Sequence, residues 1–112
     1  MFLEEMEKKR TKRLEIIEKH VNNGVKFVDE FQAYIDETVV IGAGTLIGPC
    51  VTLEGETVIG ENCFIGQNTV IKDSKIDDNV NIKSSVITES TVGSGTSVGP
   101  FAYLRPNSHI GK

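Results

Sequence analysis

Residues 59–71 read IGENCFIGQNTVI, so an isoleucine–glycine pair returns after six residues and a third isoleucine follows six residues later. The same spacing continues in both directions from this stretch. An aliphatic residue recurs at steps of six, except for three steps of five, at Ile35, Ile41, Ile47, Leu53, Ile59, Ile65, Ile71, Ile76, Ile82, Ile87, Val92, Val98, Leu104 and Ile110. A period of six fits neither an α-helix nor an isolated strand. It is typical of short strands joined by regular corners, as in a parallel β-helix.

Three repeats of six residues make one triangular coil. Taking every third aliphatic residue gives three columns, which begin at Ile35, Ile41 and Ile47 and are aliphatic throughout. The residue four places after each aliphatic is small or β-branched, with the exception of Lys75. Glycine often follows the aliphatic directly, which indicates a positive φ or a close backbone approach at the corner. Residues 35–112 therefore predict an all-β fold, a parallel β-helix of a little over four coils.

The first part of the chain follows a different period. Apolar residues lie three and four apart at the start and end of residues 2–21, with a gap around Arg10: Leu3, Met6, Leu14, Ile17 and Val21. This spacing predicts one N-terminal α-helix with a narrow apolar stripe. Gly24 is expected to end it, since glycine readily adopts the left-handed turn that closes many helices. We therefore divide the chain into a connecting helix, 1–24, and a repeat domain, 25–112, with a short first strand at 25–28.

Composition and charge exclude several classes of protein. The 112 residues fit one domain, and residues 21–112 hold six basic against eleven acidic side chains, the opposite of what a duplex nucleic-acid binder needs. The basic run at 8–13 lies among glutamates at helical spacing, which indicates a solvated helix face. No apolar run approaches the roughly 18 residues of a membrane span, and the N-terminus lacks the apolar core of a signal peptide. We expect a cytoplasmic protein in which Cys50 and Cys63 are free thiols.

The repeats IGAGTL (41–46), IGENCF (59–64) and IGQNTV (65–70) resemble those of the hexapeptide-repeat acyltransferases. That resemblance, and not the repeat itself, implies a left-handed β-helix. A narrower similarity lies in GVKFVD (24–29), IKDSKI (71–76), IKSSVI (82–87) and VGPFAYLRP (98–106). With the preceding helix, these segments resemble the bifunctional bacterial N-acetylglucosamine-1-phosphate uridylyltransferase/glucosamine-1-phosphate N-acetyltransferase family over residues 10–112.

The narrower resemblance implies a place in a larger enzyme. Residues 1–24 would link a nucleotidyltransferase domain to the acetyltransferase domain, and residues 25–112 would be the N-terminal part of the latter, assembled as a homotrimer. The parent would move acetyl from acetyl-CoA to glucosamine 1-phosphate and then uridylyl from UTP, with magnesium as its metal. The product, UDP-N-acetylglucosamine, supplies precursors of peptidoglycan and lipopolysaccharide.

The same resemblance makes Arg105 a substrate-binding residue that contacts the sugar phosphate or sugar nucleotide. A guanidinium suits phosphate because it offers paired donors. Asn107 stands where the family usually has glycine. The family's general-base histidine, its further lysines and its acetyl-CoA contacts fall beyond Lys112, so we expect no catalytic residue, no bound cofactor and no activity in this chain alone. The simpler alternative is a surface arginine in an ordinary turn.

Other candidate sites are weaker. His109 occupies an ordinary repeat position and does not match the family's base, and His20 is expected either to face the negative end of the helix dipole or to pack locally. Gly42-Ala-Gly44-Thr45 imitates a phosphate-binding loop, but the repeat accounts for both glycines. Cys50 and Cys63 lack paired metal-ligand spacing, and no metal site is expected.

Two other functions remain open from sequence. One is a different hexapeptide-repeat acyltransferase with another amine or hydroxyl acceptor, and the other is a non-catalytic β-solenoid scaffold. The sequence stops two residues into a new repeat, at Ile110-Gly-Lys112. Because an uncapped coil exposes unpaired backbone, this ending favours a segment of a longer protein over a complete scaffold.

Overall fold

The computed structural model describes residues 2–111, which form one helix followed by fifteen short strands. Helix α1 spans Phe2–Asn22, and a single 3-10 turn spans Glu30–Gln32 between the first two strands. The strands are β1 Lys26–Phe27, β2 Tyr34–Ile35, β3 Val40–Ile41, β4 Leu46–Ile47, β5 Thr52–Glu54, β6 Val58–Ile59, β7 Phe64–Ile65, β8 Val70–Lys72, β9 Lys75–Ile76, β10 Asn81–Ile82, β11 Val86–Thr88, β12 Thr91–Val92, β13 Ser97–Val98, β14 Tyr103–Leu104 and β15 His109–Ile110.

Every third strand joins the same sheet. The orders are β1-β4-β7-β10-β13, β2-β5-β8-β11-β14 and β3-β6-β9-β12-β15, and all neighbours are parallel. We call these the first, second and third sheet. Together they form the predicted left-handed parallel β-helix. The strand expected at 25–28 is present as β1, which pairs with β4 and places Phe27 beside Ile47. The β-helix therefore starts one strand before the repeats that begin at Ile35.

The three aliphatic columns are confirmed. Each predicted residue from Ile35 to Val98 is buried, and each lies in register with its column neighbour one coil away, as Ile47, Ile65 and Ile82 do in the first sheet. Burial decreases only at the last coil, where Leu104 is half-buried and Ile110 is exposed. The core is thus a continuous stack of hydrocarbon along the axis, built by repetition and not by folding distant segments together.

A second inward position fills the corners. The residue at this position lies two places before each aliphatic. Counted in this way, the corner residue before Ile76 is Ser74 and not Lys75, so every corner residue is small or β-branched. Where the step is five residues, the buried corner residue is Ser74, Ser85 or Ser90, while Lys75 and Val86 face solvent on their strands. A five-residue step is therefore shorter by one residue in the turn that follows the first aliphatic. The corner residue still lies two places before the next aliphatic.

Both reasons expected for the glycines that follow the aliphatics occur. Gly99 and Gly111 have φ +91° and +127°. Crowding between coils explains others that have no positive φ, namely Gly42, Gly48, Gly60 and Gly66. Gly42 does not have a positive φ, but a Cβ on it would lie 2.6 Å from the carbonyl carbon of Gly60 in the next coil. The left-handed residues of these turns come later, at Asn62, Asn68 and Asn79 among others. Asparagine tolerates this conformation better than most side chains.

Helix α1 contacts the β-helix only through its second half. Of the predicted stripe, Ile17 is buried and Leu14 is half-buried, whereas Leu3, Met6 and Val21 are exposed, so the stripe is wrong at those three positions. The helix ends as predicted: Gly24 has φ +93° and its N–H donates to the carbonyl of Val21 at 3.0 Å. The first half of α1 is separated from the second sheet by an open groove, which Met6 and Glu54 both line.

Candidate substrate-binding turn

Arg105 lies in the turn between β14 and β15. Strand β14 ends at Leu104, whose side chain points toward the core, and the next residue begins the corner that leads to His109. The Arg105 side chain is exposed, and within residues 2–111 its guanidinium makes no hydrogen bond or salt bridge. Its five N–H donors are therefore available to a ligand.

The backbone of this turn is closely held. The carbonyl oxygen of Arg105 accepts from Ser108 N at 3.2 Å, from Ser108 Oγ at 2.7 Å and from Ser90 Oγ at 2.7 Å. Asn107 has φ +68°, and its N–H donates to the carbonyl of Glu89 at 2.8 Å. Asparagine at the family's glycine position is thus accommodated in the left-handed conformation. An exposed arginine side chain therefore projects from a turn whose backbone is held by hydrogen bonds.

His109 lies on the outer face of the third sheet. It is exposed and in register with Thr91, and its Nδ1 lies 2.6 Å from Thr91 Oγ1. The hydroxyl can donate to Nδ1 or accept from it according to the tautomer. The structure places His109 at an ordinary outward strand position, as the repeat predicts.

His20 lies near the end of α1 and is almost fully buried. Burial, and to a lesser degree the neighbouring charge of Lys19, lowers the pKa of His20 below its ordinary value. Its Nδ1 has no partner among the described residues. Of the two alternatives left open by the sequence, the burial of His20 favours local packing.

The glycine-containing loop at 42–45 belongs to the repeat. The N–H of Gly44 donates to the carbonyl of Gly24 at 2.9 Å, and the buried Thr45 donates through Oγ1 to the carbonyl of Gly60 at 2.8 Å. Donors that would have to point at a phosphate are therefore used within the fold.

Both cysteines are free, as predicted. Cys50 is exposed, whereas Cys63 is buried at a corner with Sγ 3.1 Å from the carbonyl oxygen of Asp77. Burial is the largest influence on Cys63 and raises the pKa of its thiol. Across residues 2–111, no group of three or more His, Cys, Asp or Glu side chains could hold a metal ion.

A groove of about 650 Å³ separates α1 from the second sheet. Arg13 closes one side, with its guanidinium carbon 4.5 Å from the centre of the Tyr34 ring and Nη2 donating to the carbonyl of Phe31 at 2.8 Å. Lys12 Nζ lies 3.0 Å from Glu37 Oε2. These contacts attach α1 to the β-helix. Within the described part of the chain, no helix has the length and apolar character of a membrane span.

Sequence reasoning missed Ser90, which contacts the Arg105 turn from the coil below. Counting four residues forward from Ile87 gives Thr91, one residue too far because the step from Ile87 to Val92 is five residues long. Counting two residues back from Val92 identifies Ser90 as the corner residue. The signal is present in the sequence but emerges only when the turn is counted from its other end.

Comparison with known proteins gives one family and many relatives. The GMPPB C-terminal domain matches residues 30–112. Bifunctional protein GlmU from Alkaliphilus oremlandii is 52% identical over 100 residues, covering 89% of this chain and 22% of that protein. The GlmU proteins of Enterococcus faecalis and Clostridioides difficile are 52% and 46% identical over 84% and 88% of the chain, and over 20% and 22% of their own lengths. The chain spans about a fifth of the length of the curated relatives it matches.

Proposed function

Because the chain belongs to the GMPPB C-terminal domain family and resembles GlmU proteins along most of its length, we propose that it is a segment of a bifunctional sugar-nucleotide enzyme. The parent would transfer acetyl from acetyl-CoA to the amine of glucosamine 1-phosphate and then uridylyl from UTP, making UDP-N-acetylglucosamine for peptidoglycan and lipopolysaccharide precursors. In this proposal residues 1–24 link the two domains and residues 25–112 begin the acetyltransferase domain.

The observation that carries the proposal is the Arg105 turn. Its exposed guanidinium has no partner among the described residues, 2–111, and its backbone is held by three hydrogen bonds to one carbonyl. Such an arrangement suits a doubly charged phosphate, since a planar guanidinium can donate two parallel N–H bonds to it. Arg105 would hold the phosphate on C1 of the sugar and leave the amine on the adjacent C2 to groups outside this chain.

The chain by itself is proposed to be inactive. Acetyl transfer to an amine needs a base near that amine. Neither histidine is placed to act as that base, because His20 is buried at the end of α1 and His109 is paired with Thr91. Acetyl-CoA would be the co-substrate of the parent. Residues 2–111 contain no cluster of metal-binding side chains, so they do not fit the magnesium of the parent.

A cytoplasmic homotrimer is the proposed assembly. Its support is the apolar character of outward strand positions, where Tyr34, Val86 and Tyr103 are exposed along the second sheet and Val40 and Val58 along the third. Exposed apolar residues aligned along the outside of a sheet are typical of surfaces that another chain covers. Light scattering at micromolar concentration tests this, with three times the monomer mass expected and a stable monomer contradicting it.

Acetyl transfer by the complete gene product tests the function. Glucosamine 1-phosphate should be acetylated in preference to glucosamine, and Arg105→Ala should lower kcat/KM for the phosphorylated amine at least tenfold. Lys26→Ala is the matched control, because it removes an exposed cation from an outer strand position of the first sheet, away from the positions proposed to contact other protomers. Absence of transfer, equal use of both amines, or an equal effect of the two variants would refute the proposal. Acetyl transfer by residues 1–112 alone would refute the proposed inactivity.

A further inference from the structure

We propose that Ser90 is a positioning residue, which orients the Arg105 guanidinium toward the substrate phosphate by holding the Arg105 carbonyl. The inference rests on the proposed role of Arg105 and adds a residue that does not itself touch the ligand. Ser90 is 2% exposed and lies in the coil below Arg105, so it has no route to a phosphate except through the backbone that it supports.

The contact joins two coils. Ser90 Oγ lies 2.7 Å from the Arg105 carbonyl oxygen and 2.8 Å from the carbonyl oxygen of Thr88, so its one hydrogen is shared between them. The serine is itself anchored, because its N–H donates to Ser74 Oγ at 3.1 Å. A hydrogen bond of this kind in a buried corner is rigid, since a donor that leaves its acceptor there finds no water to replace it.

The bond from Ser90 Oγ differs from the two bonds that Ser108 makes to the Arg105 carbonyl. The two bonds from Ser108 lie within the turn and move with it. The turn is also tied to the coil below at its far end, through Asn107 N to Glu89 O and Thr91 N to Ser108 O. Ser90 provides the side-chain contact at the near end, on Arg105 itself. The direction of this carbonyl corresponds to the ψ angle of Arg105. Holding the carbonyl therefore fixes the backbone conformation of the turn from which the side chain projects.

The chain contains a matched comparison at Ser85. This serine also lies within a five-residue step and is also 2% exposed. It donates to the carbonyl two residues earlier, that of Lys83, at 2.7 Å. Its contact with the coil above is to the N–H of Ala102 at 3.1 Å, not to Arg105. Loss of either hydroxyl therefore removes the same kind of buried group, but only one of the two losses releases the arginine carbonyl.

The test measures KM and kcat for glucosamine 1-phosphate in the complete gene product, together with the melting temperature. Ser90→Ala should raise KM about three- to tenfold, the effect of one net hydrogen bond of a fixed turn, with kcat little changed because binding of the phosphate is the same in ground and transition states. Ser90→Thr should restore KM, because it keeps the hydroxyl and threonine occupies the stacked corner position at Thr57. Ser85→Ala should lower the melting temperature similarly and leave KM within about twofold.

Three results would overturn the inference: an unchanged KM in Ser90→Ala, an equal rise in Ser85→Ala, or a failure of Ser90→Thr to restore binding. If Ser90→Ala does not fold, Ser90→Cys takes its place, because it preserves the shape with a weaker donor; it should raise KM, and a native KM would count against the proposal. Arg105→Ala separates the two claims. If Arg105→Ala leaves KM unchanged, both the proposed function and the inference about Ser90 are wrong. If Arg105→Ala raises KM but Ser90→Ala has a native KM, only the inference about Ser90 is wrong.

Discussion

Replacing Ile65 by alanine should cost far more stability than replacing Ile110, although both occupy the same place in the repeat. Ile65 is 0% exposed and lies between Ile47 and Ile82, which are also 0% exposed, so the lost atoms leave a cavity that neighbouring coils cannot close. Buried isoleucine-to-alanine changes cost about 2–5 kcal/mol, with the larger values at sites that cannot collapse. We expect about 3–4 kcal/mol for Ile65→Ala. Ile110 is 39% exposed at the last coil, and its loss should cost about 1 kcal/mol or less.

Urea unfolding followed by far-ultraviolet circular dichroism measures both values, and the slope of each transition shows whether the unfolded surface is unchanged. Ile65→Val is an intermediate control, with an expected cost of about 1 kcal/mol because only one methylene is removed. The reasoning is refuted if Ile65→Ala and Ile110→Ala have equal costs, since that would mean the two side chains are buried alike and the columns do not end where the structure places them.

Three further changes probe separate features of the fold. Gly42→Ala should lower the melting temperature strongly, because its Cβ would lie 2.6 Å from the Gly60 carbonyl carbon; a native melt would show that this close approach is absent. Cys50 should react with a thiol reagent at once at pH 8 and Cys63 only on unfolding, because Cys63 is buried and its pKa is raised; equal rates would contradict this. The lowered pKa of His20 means that the unfolded chain takes up a proton that the folded chain excludes, so its contribution to stability is complete above about pH 6.5 and decreases as the pH falls toward the folded pKa. The urea midpoint should therefore decline from pH 7.5 to 5.5, and less so in His20→Leu; an identical decline would exclude His20 as the cause.

The columns could be predicted because each coil repeats one physical rule: a hydrocarbon side chain every sixth residue has nowhere to lie except inside. Alternation likewise predicted a strand at 25–28, where the structure has β1 at Lys26–Phe27. Handedness was not available from the spacing, since a mirror-image spiral would bury the same residues. It entered through the resemblance of repeats such as 59–64 and 65–70 to a known family.

The remaining errors have local causes. Periodicity alone predicts the stripe on α1, but it cannot say how far the β-helix reaches along the helix; only Leu14 and Ile17 of the stripe are covered. The charge pattern places Arg13 on a solvated face, yet it stacks on Tyr34, because that ring faces outward at the first coil beside the helix. Such contacts depend on the angle between two elements, which a linear pattern does not contain.

The Arg105 turn shows the same division. The motif makes Arg105 a candidate, whose role in binding stays a prediction. The tolerance of Asn107 for the left-handed conformation is foreseeable from its side chain. The support from Ser90 is not, because it depends on which residue the five-residue step removes. If the corner position is counted back from the next aliphatic, the sequence alone predicts the buried corner residues of the five-residue steps, which are Ser74, Ser85 and Ser90.

The most direct test of the β-helix is a methyl NOE spectrum of the chain with labelled isoleucine δ1 methyl groups. If the aliphatic residues stack in three columns, Ile65 should show strong cross-peaks to Ile47 and Ile82, seventeen or eighteen residues away in sequence and one coil away in space. Cross-peaks from Ile65 to residues three or four positions away in sequence, with none to Ile47 and Ile82, would contradict the β-helix and with it the placement of Arg105 above Ser90.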